Sequence, residues 1–128
     1  MIYLVDTQAF LFWVAGSPKL GRVARAAMKQ GKSELLFSAA CSWEIAIKYA
    51  LGKLKLPDVP ERFVPAQLRA HRIEAIPLEH TEALSVARLP MHHDDPFDRV
   101  LVAQALSRKV AVITGDSRFE DYGVKVLW

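Results

Sequence analysis

Five short apolar runs punctuate this chain: "MIYLV", "SELLFS", "IEAIPL", "VAVIT" and "VKVLW". They read as strands, rich in β-branched and aromatic residues, and they do not alternate cleanly between polar and apolar. A strand apolar on both sides needs cover on both sides. Helical stretches separate most of these runs. That alternation predicts an α/β fold with three layers, a central parallel sheet between two layers of helices.

The helical stretches carry their own punctuation. "TQAFLFWVAG" reads as a short helix capped by Asp6 or Thr7. "SPKLGRVARAAMKQGK" reads as a helix capped by Ser17, opened by Pro18 and stopped by Gly31. "AACSWEIAIKYALGKL" ends at Gly52, and "VPERFVPAQLRAHR" gives one or two short helices with a break at Pro65. "EHTEALSVARL" and "DPFDRVLVAQALSRK" are further helices, and "SRFEDYG" is a brief helical turn or loop. No repeat, low-complexity tract or linker interrupts the pattern, so residues 1–128 are expected to form a single domain.

Composition narrows the class. With 52% hydrophobic residues the chain can build a core, which argues against disorder. Cys41 is the lone cysteine, so no intrachain disulfide can form, and a reducing compartment fits. The start "MIYLVD" has no basic leader pattern, and no apolar run approaches the ~20 residues that span a bilayer. A soluble, cytoplasmic protein with no membrane role is expected. The net charge of +3 and pI near 9.2 lean toward an anionic partner such as nucleic acid.

Four acids point to chemistry. In open α/β sheets, ligands bind beyond the carboxyl ends of the strands. Asp6 follows the first strand directly, and Asp116 follows "VAVIT" after one glycine. At about 100° per residue, Glu44 shares a stripe with Ala40, Ile47 and Leu51, and Asp98 shares one with Leu101, Val102 and Ala105. Carboxylates on apolar stripes are costly unless something compensates them. A divalent cation, Mg²⁺ or Mn²⁺, is the simplest compensation, because carboxylate oxygens are their usual ligands.

Each acid also has a plainer use. Asp6 can cap a helix, Glu44 can pair with Lys48, Asp116 can serve a turn, and Asp98 can favour a helix dipole. Asp95, just before Pro96, is read as the N-cap of its helix, and Asp94 as a solvated loop residue.

These residues, in this order, resemble the PIN-domain family, specifically the VapC-type toxin ribonucleases of bacterial toxin–antitoxin pairs. "YLVDTQAFLFW", "SAACSWEIAIKYALGKLKL", "DPFDRVLVAQA" and "VITGDSRFEDYGVKVLW" are similar to the family's four successive acidic blocks. The resemblance implies a Rossmann-like fold and a Mg²⁺- or Mn²⁺-dependent endoribonuclease. It carries the catalytic and metal-site roles onto Asp6, Glu44, Asp98 and Asp116, with Asp6 and Asp98 as the most direct ligands. It implies an RNA substrate, a cognate antitoxin that blocks the site, and homodimers. Many relatives carry a histidine two residues after the first acid, where this chain has Gln8.

Other residues are assigned around that site. Lys48, Arg99 and Arg118 are expected to reach the RNA backbone. Thr114 and Ser38 are read as orienting a carboxylate or a phosphate, or as plain caps. Arg22, Arg25, Lys29 and Lys32 form a solvated face or an RNA track. His92 and His93, adjacent and without a spaced partner, are expected to be loop residues and not zinc ligands. Phe10, Phe12 and Trp13 crowd one helix, which predicts either an exposed dimer or antitoxin contact or a wrapped core helix. The rival functions are a PIN-fold nucleic-acid-binding or regulatory module without catalysis, a receiver-like domain and an aspartate-nucleophile phosphatase. The last two want a second acid near Asp6, which "YLVDTQ" lacks.

Overall fold

The computed structural model describes residues 1–29, 31 and 33–128. Its strands are β1 (Ile2–Val5), β2 (Glu34–Ser38), β3 (Ile73–Ile76), β4 (Ala111–Ile113) and β5 (Val126–Leu127). The helices are α1 (Thr7–Ala15), α2 (Arg22–Lys29), α3 (Ala39–Ala50), α4 (Pro60–Ala70), α5 (His80–Ser85) and α6 (Pro96–Arg108). Short 3₁₀ turns follow at Val86–Arg88 and Ser117–Tyr122.

All five strands pair in parallel, in the order β3-β2-β1-β4-β5. Successive strand residues point to opposite faces. Tyr3, Leu4 and Val5 are nevertheless all buried, as are Leu35, Leu36 and Phe37, so helices cover both sides of β1 and β2. The chain runs outward from β1 to β3, then returns to place β4 on the other side of β1. That reversal opens a crevice between the carboxyl ends of β1 and β4, where such folds place ligands. Asp6 and Thr114 are the residues directly beyond those two strands.

Helix ends follow local chemistry. Ser38 Oγ accepts from Ala40 N at 3.1 Å and caps α3, its plainer use. Asp95 Oδ1 accepts from Phe97 N at 2.9 Å and caps α6, with Pro96 in the first turn as expected. Gly52, at φ +72°, follows α3 in a left-handed conformation that costs glycine little.

Three expectations change. Ser17 caps no α-helix; its Oγ accepts from Lys19 N at 3.1 Å in a turn. Helix α2 starts only at Arg22, because Leu20 drops into the core and Gly21 lies against Trp128. Pro65 breaks nothing: α4 runs through it on an exposed side, where water can serve the Glu61 carbonyl that lacks an N–H partner. Leu51 leaves the stripe of Glu44, since it lies past the end of α3 and is exposed. Of the basic face expected at Arg22, Arg25, Lys29 and Lys32, Lys32 lies outside the described residues. Arg25 itself is engaged, donating to Ser17 O at 2.7 Å.

The three aromatics of α1 face three neighbours. Phe10 is fully buried with its ring 4.4 Å from Phe37. Phe12 faces Trp128, and Trp13 Nε1 donates to His71 Nδ1 at 3.1 Å. None of the three is exposed, which matches the wrapped helix and leaves no exposed aromatic contact on α1.

Candidate active site

The crevice is a groove of about 830 Å³, and Asp6, Glu44, Asp98 and Asp116 all line it. Four separate elements deliver them: the end of β1, the middle of α3, the first turn of α6 and the turn after β4. The plainer uses are real as well, and they hold the acids in place.

Asp6 Oδ1 accepts from Ala9 N at 2.7 Å, capping α1, and the Thr114 hydroxyl also bonds the carboxylate. Thr114 Oγ1 in turn accepts from Asp116 N at 3.1 Å. One fully buried hydroxyl therefore ties the ends of β1 and β4 together. Of the uses expected for Thr114, orienting a carboxylate is the one its hydroxyl takes here, and that leaves it bonded to the two acids and not to a substrate.

Glu44 Oε1 accepts from the Thr7 hydroxyl and Oε2 from Lys48 Nζ, both at 2.6 Å. The Glu44 hydrogen bond raises the Lys48 pKa and keeps its ammonium charged. Asp116 Oδ1 accepts from Arg118 N and Nε, each at 3.0 Å, and Oδ2 from Arg118 Nη2 at 2.9 Å. Lys48 and Arg118 both line the groove, already bonded to its acids.

Arg99 does something else, which corrects its assignment to substrate. Its Nη1 donates to Pro90 O, His93 O and Tyr122 Oη, and its Nη2 to Val86 O and Leu89 O. These contacts consume the terminal donors of the guanidinium and lace the loop before α6 to the helix.

His93 is the residue that sequence reasoning missed. It is buried, 4% exposed, and its Nε2 lies 2.8 Å from Asp116 Oδ2 and 3.1 Å from Asp98 Oδ2. Its Nδ1 accepts from Asp95 N at 3.1 Å, so the neutral ring carries its proton on Nε2 and donates toward the two acids. The Tyr122 hydroxyl accepts from the amides of His92 and His93, at 3.1 and 2.8 Å. The one available signal was position: His93 lies two residues before the helix cap that presents Asp98.

The acids do not share one electrostatic fate. Burial, aided by the neighbouring Glu44 and Asp116, pushes Asp6 up to about 6. Burial and the charge of Asp95 push Asp98 up to about 7. Burial also acts upward on Asp116, but the Arg118 and His93 hydrogen bonds outweigh it and hold that group down at about 2. Cys41, next to the cluster, is pushed up to about 12 by burial and stays a neutral thiol.

Hard oxygen donors converge here with too little positive charge to balance them, which is the donor set of a divalent cation. His93, Asp98 and Asp116 also offer ligand atoms within 4.8 Å of one another. The bond from Asp95 N to Nδ1 makes His93 Nε2 a donor, so we read the oxygens as the ligands.

A parallel α/β fold with an acidic groove at its topological switch point is thus the class that fold and site define. The PIN domain model matches residues 3–125, and the chain belongs to the PIN domain family. Ribonuclease VapC16 of Mycobacterium tuberculosis is 38% identical over 56 residues, 44% of this chain and 40% of that protein. The match thus spans less than half the length of the curated relative. Among solved structures, VapBC2 from Rickettsia felis bound to a promoter DNA fragment is similar at a TM-score of 0.70 and 14% identity, covering 98% of this chain and 97% of that one. VapBC-1 from nontypeable Haemophilus influenzae is similar at 0.66 and 19% identity, covering 98% and 96%. FitAcB from Neisseria gonorrhoeae is similar at 0.62 and 20% identity, also covering 98% and 96%. Across such low identities the likeness concerns the fold, a five-stranded parallel sheet with helices on both sides. Among the described residues, no helix is long and apolar enough to cross a membrane.

Proposed function

We propose that this chain is the toxin of a toxin–antitoxin pair and a divalent-metal-dependent endoribonuclease. The observation that carries this reading is the convergence of Asp6, Glu44, Asp98 and Asp116 on one groove in a PIN domain. The ribonuclease name of the Mycobacterium tuberculosis relative supports the activity. The VapBC neighbours support an antitoxin partner, and a homodimer is part of the same reading.

Asp6 and Asp98 would hold Mg²⁺ or Mn²⁺ directly, and Glu44 and Asp116 would complete the set directly or through water. The bound cation supplies Lewis-acid charge for hydrolysis of an RNA phosphodiester, by in-line attack of water on phosphorus. The chain's own groups do the positioning. Ala9 N and Thr114 fix the Asp6 carboxylate, Thr7 and Lys48 fix Glu44, and His93 bridges Asp98 and Asp116. Lys48 and Arg118, on the groove wall, meet the phosphate backbone.

The test is cleavage of a mixed RNA pool by purified, antitoxin-free protein with Mg²⁺, Mn²⁺ or EDTA, beside Asp98→Asn. Cleavage that needs metal and disappears in the variant is the expected result. A well-folded protein that cuts no RNA under any of these conditions would falsify the enzyme reading and leave a binding module.

A further inference from the structure

The groove is larger than its chemistry needs. Ligand sites commonly enclose about 300–1,000 Å³, and this one, near 830 Å³, has two halves. The acids occupy one. Leu11, Phe12, Leu54 and Trp128 line the other, and a phosphodiester with its metal has no use for an apolar wall.

That wall is built, not incidental. The Trp128 ring lies flush against backbone at two glycines. A Cβ on Gly115 would meet Trp128 Cε2 at 3.0 Å, and one on Gly21 would meet its Cδ1 at 2.8 Å. The Trp128 carbonyl accepts from the amides of Val23 and Ala24, at 3.0 and 3.2 Å. Phe12 stands beside it, ring centroids 6.3 Å apart and planes tilted by 51°. Both rings are half-buried, so each keeps surface for the groove.

Polar groups on the rim suit one kind of occupant. Lys53 is exposed and lines the groove, and its side chain makes no hydrogen bond or ion pair among the described residues. Gln8, also exposed and unpartnered there, offers an amide donor and an acceptor. A nucleobase has a π-face for an aromatic wall, an edge for an amide, and a phosphate for an ammonium.

We propose that Phe12 and Trp128, with Gln8 and Lys53 at the rim, form a subsite for one unstacked base of single-stranded RNA beside the scissile phosphate. This rests on the ribonuclease reading for the identity of the strand. A base paired inside a duplex hides its faces from the wall, so unpaired RNA is the preferred form.

The test is binding of a fluorescent single-stranded RNA octamer by the full chain, read by anisotropy with Ca²⁺ in place of Mg²⁺. A matched set of octamers lacks one base at each position in turn. Removal of the base at one position is expected to weaken binding about tenfold or more. Phe12→Leu, which keeps the apolar packing and removes the ring, should cause a similar loss and make that abasic octamer no worse than its parent. Equal binding of every abasic octamer, unchanged binding by Phe12→Leu, or binding of no octamer at all would each overturn the subsite. Base-dependent binding without metal-dependent cleavage leaves the subsite standing and removes the ribonuclease reading. Cleavage without base dependence does the reverse.

Discussion

Helix α6 meets a carboxylate at each of its ends, one buried and one half-buried, and the two ends treat them differently. Near its C-terminus, Glu82 is 3% exposed and fully served: Oε1 accepts from Glu79 N at 2.9 Å and Gln104 Nε2 at 3.2 Å, and Oε2 from Arg108 Nε at 2.9 Å. At its N-terminus, Asp98 meets a shared His93 donor and three acids, and burial pushes it up to about 7. A matched buried carboxylate holds a fold together. An under-matched one, on a groove, stores a demand for positive charge that a ligand can meet. The contrast sets a matched acid of α5 against an under-matched acid of α6, at the two ends of one helix.

The sharpest way to break that contrast is activity. Asp98→Asn should cut RNA cleavage by about 10²–10⁴-fold, because it removes a proposed metal ligand and alters the protonation pattern of the cluster. Glu82→Gln, on α5 against the other end of α6, should leave cleavage per folded molecule unchanged. Initial rates on one RNA, normalised to folded protein by circular dichroism, compare the two. Equal losses would mean that both acids are structural.

Stability should show the opposite ranking. Arg108→Ala leaves Glu82 buried without its cation and should cost about 3 kcal/mol, the low end for a broken buried pair because Arg108 is 30% exposed. Urea unfolding reads this as a lower midpoint with an unchanged slope. The groove acids keep all their partners in this variant, so metal-dependent activity below the unfolding range should survive.

Much of this was legible in sequence because it is local. Strand runs, the Asp95 cap with Pro96, and the stripe of Asp98 with Leu101, Val102 and Ala105 depend on neighbours along the chain, and those three apolar residues are buried. The four acids could be placed in one groove because strand ends and helix phase follow from the α/β pattern. What escaped depends on contacts distant in sequence. His92 and His93 are chemically identical, yet His92 is exposed with its ring 5.0 Å from Tyr122, while His93 turns inward. Tyr122 and Arg99 fix that turn, and neither is adjacent in sequence. Ser17 failed as a cap for the same reason, since Leu20 and Gly21 answer to the core and to Trp128.

The pH dependence sharpens the comparison further. A carboxyl whose folded pKa is raised contributes its stability below the unfolded value, 3.8, and loses it as pH rises through about 7. Metal-free wild-type protein should therefore be destabilised relative to Asp98→Asn progressively from pH 4 to pH 7. The gap should level off above that, at about 2 kcal/mol once partial exposure is discounted. Adding Mn²⁺ at pH 7.5 should raise the wild-type melting temperature and barely move the variant's. A variant gap already present at pH 4 would trace to packing and not to charge.

The smallest expected effect lies in the paired histidines. His93→Ala removes the donor that spans Asp98 and Asp116 while leaving the acid side chains in place. Groups that orient metal ligands usually affect affinity by 10–100-fold, and the lower figure, about tenfold, suits a donor shared between two acids. His92→Ala removes only a ring against Tyr122 and should leave Mn²⁺ affinity unchanged, as read by electron paramagnetic resonance titration. His93→Gln keeps an N–H donor and should recover part of the loss. Tighter Mn²⁺ binding in His93→Ala would reverse the role: the Nε2 proton would then be competing with the cation for the two carboxylates, and the ring would be occupying the space that the metal has to enter.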